Sequence, residues 1–280
     1  MLNDWQALVL GVVQGLSEPL PISSSGHLIL VPWLFGFPDI AADSTFNKTF
    51  DVALHLGTLV GIVAYFRRDV VRILGAAWSS LRRKTLATVD DRLPWYIAVA
   101  TIPGFVFGAL GEKTIADTLS AEWLIGVQLI VFGLVLYAAD RYGRRRKALG
   151  ELTGRDALLI GLAQALALMP GVSRSGITMT AALMLAFNRD AAARFSFLIS
   201  IPVVAGAVAY KGFTTFVTGD GLPDGAASAF VIGIGSAMIS GFVAVWFLLR
   251  YIRSKSFNPF VVYRVLAGFF VIGIAASSFR

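Results

Sequence analysis

The sequence predicts an all-α polytopic membrane protein with six transmembrane helices and two re-entrant helical hairpins, built as an inverted-topology internal repeat. Its 280 residues are 56% hydrophobic and only 15% charged, where a soluble domain carries about a quarter charged residues. Mean hydropathy is +0.74. The basic residues behind the net charge of +7 collect between apolar stretches, which is the positive-inside bias of a membrane protein and not a nucleic-acid surface. A repeat completes the case. Gly161, Gln164, Ser173, Ser175 and Gly176 follow Gly11, Gln14, Ser23, Ser25 and Gly26 at an offset of 150. Phe195, Gly206, Ala209 and Tyr210 follow Phe50, Gly61, Ala64 and Tyr65 at an offset of 145.

Taken in order, residues 5–17 and 25–36 are apolar, but each is too short for about 30 Å of hydrocarbon. Pro19, Pro21 and Gly26 interrupt them, so they read as a re-entrant hairpin. Broken backbone at that depth survives only against protein or a wet cavity. A polar segment follows from Pro38 to Lys48. Phe50–Phe66 is the first crossing, and it leads to a loop holding Arg67, Arg68, Arg72, Arg82, Arg83, Lys84 and Arg92. The positive-inside rule makes that loop cytoplasmic. Leu93–Leu110 crosses back, with a kink expected at Pro103-Gly104, toward a stretch with Glu112, Lys113, Asp117 and Glu122.

Trp123–Ala139 returns to Arg141, Arg144, Arg145, Arg146 and Lys147, a cluster suited to anionic lipid. Residues 156–169 and 176–187 form the second hairpin. Phe195–Tyr210 crosses outward to a glycine-rich loop with Asp220 and Asp224. Ala226–Leu249 crosses inward to Arg250, Arg253 and Lys255, and Pro259–Ser277 crosses outward. The whole is a single integral membrane domain, 1–280, made of halves at about 1–140 and 150–280. Three spans per half give the halves opposite orientation, so the hairpins enter from opposite faces and meet near the midplane. The first residues lack the basic region and cleavage site of a signal peptide. With no cysteine, thiolate chemistry and disulfides are excluded.

Ionisable groups at membrane depth are costly and mark function. The first hairpin holds Gln14, Glu18, Ser23, Ser24, Ser25 and His27. Gln14 and Glu18 are four apart and share a helix face. A buried carboxylate with an amide beside it suits a hard divalent cation, Mg²⁺ or Ca²⁺, with capping or pairing to a basic residue as the structural alternative. One serine of the run is an N-cap for the following helix, and another is a candidate nucleophile with His27 as acid or base. Ser173, Arg174, Ser175 and Gly176 open the second short helix, where free N–H groups, hydroxyls and a guanidinium suit phosphate. Arg174 could instead pair with Glu18. His55 has no polar neighbour in sequence and reads as structural. Together these groups point to phosphoryl hydrolysis on a lipid, with the head group in the pocket and the chain among the helices.

Gln14-Gly-Leu-Ser-Glu-Pro-Leu-Pro-Ile-Ser-Ser-Ser-Gly-His27 and Pro170-Gly-Val-Ser-Arg-Ser-Gly176 resemble the two signature motifs of the bacterial undecaprenyl-diphosphate phosphatases, the bacitracin-resistance family. The resemblance extends to residues 195–202 and to Asn258-Pro-Phe-Val-Val-Tyr-Arg264. It implies removal of the terminal phosphate of a C55 isoprenoid diphosphate, recycling the lipid carrier for cell-wall synthesis. It also implies metal dependence and a site open toward the outer, periplasmic face of the bacterial cytoplasmic (inner) membrane. The family's first motif is Glu or Gln, three residues, then Glu; here Gln14 fills the first place, leaving Glu18 as the charged metal ligand. By the same resemblance Ser24, His27, Ser173 and Arg174 fall at functional positions. Expected partners are the polyprenyl diphosphate and membrane lipids, without nucleic acid, and a homodimer is compatible with the sequence.

The main rival is a secondary transporter or lipid flippase, since broken helices meeting at the midplane are also transporter architecture. A phosphatidic-acid-type phosphatase shares Ser-Gly-His and Ser-Arg pieces but needs a later histidine. This chain has none after His55.

Overall fold

The computed structural model describes residues 2–37, 44–219, 221–222 and 225–277. Eleven α-helices are found among them: α1 (Asp4–Ser17), α2 (Ser24–Phe35), α3 (Ser44–Tyr65), α4 (Arg67–Arg83), α5 (Val89–Leu119) and α6 (Glu122–Tyr142), then α7 (Gly154–Ala165), α8 (Arg174–Met184), α9 (Arg189–Phe216), α10 (Ala227–Ile252) and α11 (Asn258–Ala276). No strand occurs among the described residues, only an isolated bridge between Lys147 and Phe187. Residues 38–43 of the expected polar segment, and Asp220 and Asp224, lie outside the described residues. Glu112, Lys113 and Asp117 fall in the last turns of α5, where their side chains also lie outside the described residues.

Five helices, α5, α6, α9, α10 and α11, are long and apolar enough to cross a membrane. They match five of the six crossings read from the sequence. The remaining one passes that test only when α3 is joined to α4, which bends away by 83°. The sequence reading of 67–92 as a loop is corrected here, because residues 67–83 are helical. Val71, Leu74, Trp78 and Leu81 recur at helical spacing among the arginines, an amphipathic pattern, and all four are exposed. A run of arginines reads as a loop only when that apolar period is overlooked.

The kink expected at Pro103-Gly104 does not interrupt α5, whose helical assignment runs through Pro94 and Pro103. A proline removes one helical donor, and a neighbouring side chain can serve the carbonyls around such a gap. The Gln164 amide donates to the Ala100 carbonyl at 3.3 Å, beside the Val99 carbonyl that Pro103 leaves without its helical donor.

The four helices flanking the two breaks are short. α1, α2, α7 and α8 hold 14, 12, 12 and 11 residues, so at about 1.5 Å per residue none spans about 30 Å of hydrocarbon. α1 lies along α10 and α7 along α5. Both contacts depend on glycine. A Cβ on Gly11 would sit 2.5 Å from the Gly233 carbonyl, and one on Gly161 2.5 Å from the Ala100 carbonyl. Small residues allow such close backbone approach, the usual basis of helix packing in lipid. α3 packs on α10 and α9 on α5, while α3 meets α9 at the centre and α6 meets α11. Phe66, Phe195, Phe197, Ile199 and Val245 belong to the main core.

Candidate active site

Each break is built by a serine in a conformation that serine seldom adopts. Ser23 has φ 75° and Ser173 has φ 73°, in the left-handed region where a Cβ is disfavoured. Both earn the strain locally as N-caps. The Gly26 N–H donates to Ser23 Oγ at 3.4 Å, and the Gly176 N–H to Ser173 Oγ at 3.1 Å. Ser23 lies 3.4 Å from Ser25 between hydroxyls, and Ser173 3.1 Å from Ser175. Ser175 also donates to the Leu20 carbonyl at 3.0 Å, tying the second break to the first. Gly176 leaves no slack, since a Cβ there would stand 3.1 Å from Ser173 and from the Arg264 guanidinium.

Arg264 holds the two breaks together. It is fully buried, and its guanidinium donates to the carbonyls of Pro21 at 3.2 Å, Gly171 at 2.8 Å and Val172 at 3.1 Å. It also reaches Leu129 at 3.1 Å and Gln128 at 3.5 Å on α6. Turn carbonyls inside a membrane protein have no water to accept from, and each unsatisfied one costs roughly 1–3 kcal/mol. One arginine therefore replaces the solvent for both breaks.

Between the breaks is a cavity of about 240 Å³, lined by Glu18, Ser24, Ser25, Ser173, Arg174, His55 and Gln164, with Val52, Leu168 and Val204 among its apolar walls. Glu18 is its centre. The Arg174 guanidinium donates to Glu18 Oε1 at 2.5 Å. Glu18 Oε2 accepts from the Ser24 hydroxyl and, at 3.4 Å, from the Gln14 amide. His55 Nε2 is 3.6 Å from the same oxygen. Gln14 and Gln164 are buried, and the Oε1 atom of each has no hydrogen-bond partner among the described residues. Among those residues no three His, Cys, Asp or Glu side chains group together as a metal site. A cation here would need amide, hydroxyl or ligand oxygens beside Glu18.

The structure thus brings Glu18, Gln14, Ser24, Ser25, Ser173 and Arg174 to one place. It puts Ser23, Ser175 and Gly176 in the frame of the turns. His27 is placed differently from the sequence expectation. Its Nδ1–H donates to the Ser23 carbonyl at 2.6 Å, which leaves Nε2 of the neutral ring to accept the Tyr263 hydroxyl at 2.5 Å. The two rings stack at 5.6 Å, and His27 is not among the cavity's lining residues. Both ring nitrogens are taken, one by the Ser23 carbonyl of its own helix cap and the other by Tyr263 of α11. His55, read from the sequence as structural, is the imidazole that faces the carboxylate. Its Nδ1 is held by the Asp51 carbonyl at 2.7 Å, which fixes the direction of Nε2. No local signal announces this, because Glu18 and His55 meet only when α1 packs on α3. Arg264 was also missed, although a lone arginine in an apolar span is itself a signal.

The family described as "Bacitracin resistance protein BacA" matches residues 7–270. The undecaprenyl-diphosphatase of Desulforudis audaxviator is 49% identical over 274 residues, covering 98% of each chain. That of Pelobacter propionicus is 46% identical over 274 residues, 98% of this chain and 97% of its own. That of Pelotomaculum thermopropionicum is 46% identical over 276 residues, 99% and 98% of the two chains. With 264 of its 280 residues inside the matched range, this chain belongs to the bacitracin resistance protein BacA family.

Proposed function

We propose that the protein hydrolyses undecaprenyl diphosphate to undecaprenyl phosphate and inorganic phosphate, recycling the lipid carrier of cell-wall synthesis and conferring bacitracin resistance. The observation that carries this reading is the Glu18–Arg174 pair at the meeting of two helix N-termini, inside a helical membrane protein. Helix N-termini offer N–H groups to phosphate, and the guanidinium fork matches phosphate oxygens. In this reading Arg174, Ser173 and the first turns of α2 and α8 hold the diphosphate. Arg174 exchanges its carboxylate partner for a phosphate.

Glu18 accepts the proton of the attacking oxygen. Ser24 is the hydroxyl already donating to it, and a water at the same place would be oriented the same way. The attacking oxygen bonds to the terminal phosphorus as the bond to the bridging oxygen breaks, and undecaprenyl phosphate leaves carrying that oxygen and the proton that Glu18 took; where Ser24 attacks, a water deprotonated by Glu18 then displaces the serine oxygen and inorganic phosphate is released. The donor set fits a hard divalent cation, Mg²⁺ or Ca²⁺: one carboxylate, the partnerless Gln14 amide oxygen and the Ser24 hydroxyl, with diphosphate oxygens to complete the sphere. When bound, such an ion neutralises phosphate oxygens and polarises the reacting phosphoryl group.

The same reading takes α1–α2 and α7–α8 as re-entrant hairpins of two inverted repeats. Their exchange of partners supports it. α1 packs on α10 and α3 on α10, while their counterparts α7 and α9 pack on α5, the counterpart of α10. The protein then lies in the bacterial inner membrane, its arginine-rich ends cytoplasmic and its cavity reached from the periplasmic face.

The test is phosphate release from a polyprenyl diphosphate by purified protein in detergent. Release by the wild type should stop with chelator and in Glu18→Ala and Arg174→Ala. Lipid movement in vesicles without phosphate release would favour a carrier instead.

A further inference from the structure

His55 faces the carboxylate yet takes no part in the hydrolysis proposed above. It stands on α3 with its ring in the wall of the cavity. Its Nδ1 lies 2.7 Å from the Asp51 carbonyl. A carbonyl only accepts, so Nδ1 carries the hydrogen, and the neutral ring turns the lone pair of Nε2 toward Glu18. An Nδ1–H tied to a backbone carbonyl is the usual support of a histidine that ligates a metal through Nε2.

The distance decides what fits between the two groups. Nε2 is 3.6 Å from Glu18 Oε2, past the reach of a hydrogen bond. Both atoms are acceptors in this state, so only something positive between them draws them together. Metal bonds to an imidazole nitrogen and a carboxylate oxygen are about 2.0–2.2 Å long, so one ion lying off the line between the two atoms touches both. The Ser24 hydroxyl and the Gln14 amide converge on the same oxygen. The chain has two histidines, and both ring nitrogens of His27 are taken. The internal repeat adds a contrast. Glu18 has Leu168 as its counterpart at the offset of 150, and His55 has Ser200 at the offset of 145. Ser200 is buried and donates to the Phe197 carbonyl of its own helix at 2.6 Å. Carboxylate and imidazole therefore occur together in the first half, and neither occurs at the matching place in the second.

We propose that His55 Nε2 is a nitrogen ligand of the divalent cation held at Glu18. This rests on the metal-dependent phosphatase reading above and narrows its choice of ion. Mg²⁺ and Ca²⁺ take oxygen ligands, whereas imidazole favours first-row transition ions. The site, able to take Mg²⁺ or Ca²⁺ by its oxygens, thus holds Mn²⁺ or Zn²⁺ more tightly than either. The bound ion also joins the end of α1 to the middle of α3, two elements that the empty cavity leaves linked there only by packing and charge.

The experiment loads untagged full-length protein in detergent, made with ¹⁵N-labelled histidine, with Mn²⁺ alone and reads it by pulsed electron paramagnetic resonance. A ¹⁵N coupling to the bound Mn²⁺ is expected, kept in His27→Gln and lost in His55→Gln. Glutamine at 55 offers oxygen in place of nitrogen, so the Kd for Mn²⁺ should rise about tenfold or more, while that for Mg²⁺, read by displacement of Mn²⁺, changes less than about threefold. The wild-type spectrum needs no substitution, so a variant that fails to fold leaves the test intact. Mn²⁺ bound without a histidine coupling, a coupling that survives in His55→Gln, or an equal loss of Mg²⁺ affinity overturns the proposal and leaves the phosphatase reading standing. If wild type binds no Mn²⁺, the proposal and the metal site at Glu18 fall together. If wild type supplied with Mn²⁺, Zn²⁺ or Mg²⁺ releases no phosphate from a polyprenyl diphosphate, the phosphatase reading itself fails and takes the proposal with it.

Discussion

At the first break a carboxylate follows α1, and at the second a leucine, Leu168, holds that position; Ser24 of the first is Arg174 of the second. The serine turns beside these pairs are alike. Both breaks have a serine near φ 75°, the same cap to the glycine three residues on, and the same serine–serine contact. The shared serine turns make two helix N-termini converge, and the differences at Glu18 and Arg174 set a carboxylate beside a guanidinium there. A strictly symmetric site would set two carboxylates or two guanidiniums face to face, and like charges at low dielectric cannot both stay ionised. The carboxylate on one side and the guanidinium on the other pair at 2.5 Å instead.

Removing the carboxylate should cost most. Glu18→Ala is expected to lower phosphate release by about 10³–10⁴-fold, the range for a lost proton acceptor that also holds charge; retention within tenfold of wild type would remove Glu18 from the chemistry. Arg174→Ala should cost about 10²–10³-fold, as for a lost transition-state donor. Arg174→Lys should recover only part, since an ammonium lacks the fork. The comparison can also be inverted. Leu168 lines the same cavity, so adding Leu168→Glu to Glu18→Leu should raise activity at least tenfold over Glu18→Leu alone. Without any gain, the position of the carboxylate and not merely its presence in the cavity is decisive.

The next effects are on stability. Arg264→Leu leaves three turn carbonyls without donors, and thermal unfolding in detergent should report a loss of about 3–5 kcal/mol, with Arg264→Lys intermediate. Tyr263→Phe removes only the hydroxyl that His27 accepts and should cost about 1 kcal/mol. A larger loss in phosphate release than in stability would bring His27 back toward the reaction.

The all-helical fold and five of its crossing-length helices were legible because lipid makes the code simple: a long apolar run can span it, and a short one broken by proline lacks the length. The exception was residues 67–83, where the arginines hid an apolar stripe. The polar lining of the cavity was legible at Glu18, Ser24 and Arg174 because each is polar inside an apolar stretch. It was not legible at His55 or His27. A histidine announces its type in sequence, but its direction depends on which helix it packs against, α1 for one and α11 for the other. The partner of Glu18 could be guessed only as an alternative, since sequence spacing does not say that α1 and α8 meet.

Arg264 also bears on how the molecule comes into being. The carbonyl of Pro21 accepts from a residue 243 positions later, and that of Val172 from one 92 positions later. Until α11 enters the bundle, these turn carbonyls lack their Arg264 donor, and the breaks are tied only by Ser175 to the Leu20 carbonyl and by the Glu18–Arg174 pair. The residue that satisfies both turns is thus made after every residue that lines the cavity.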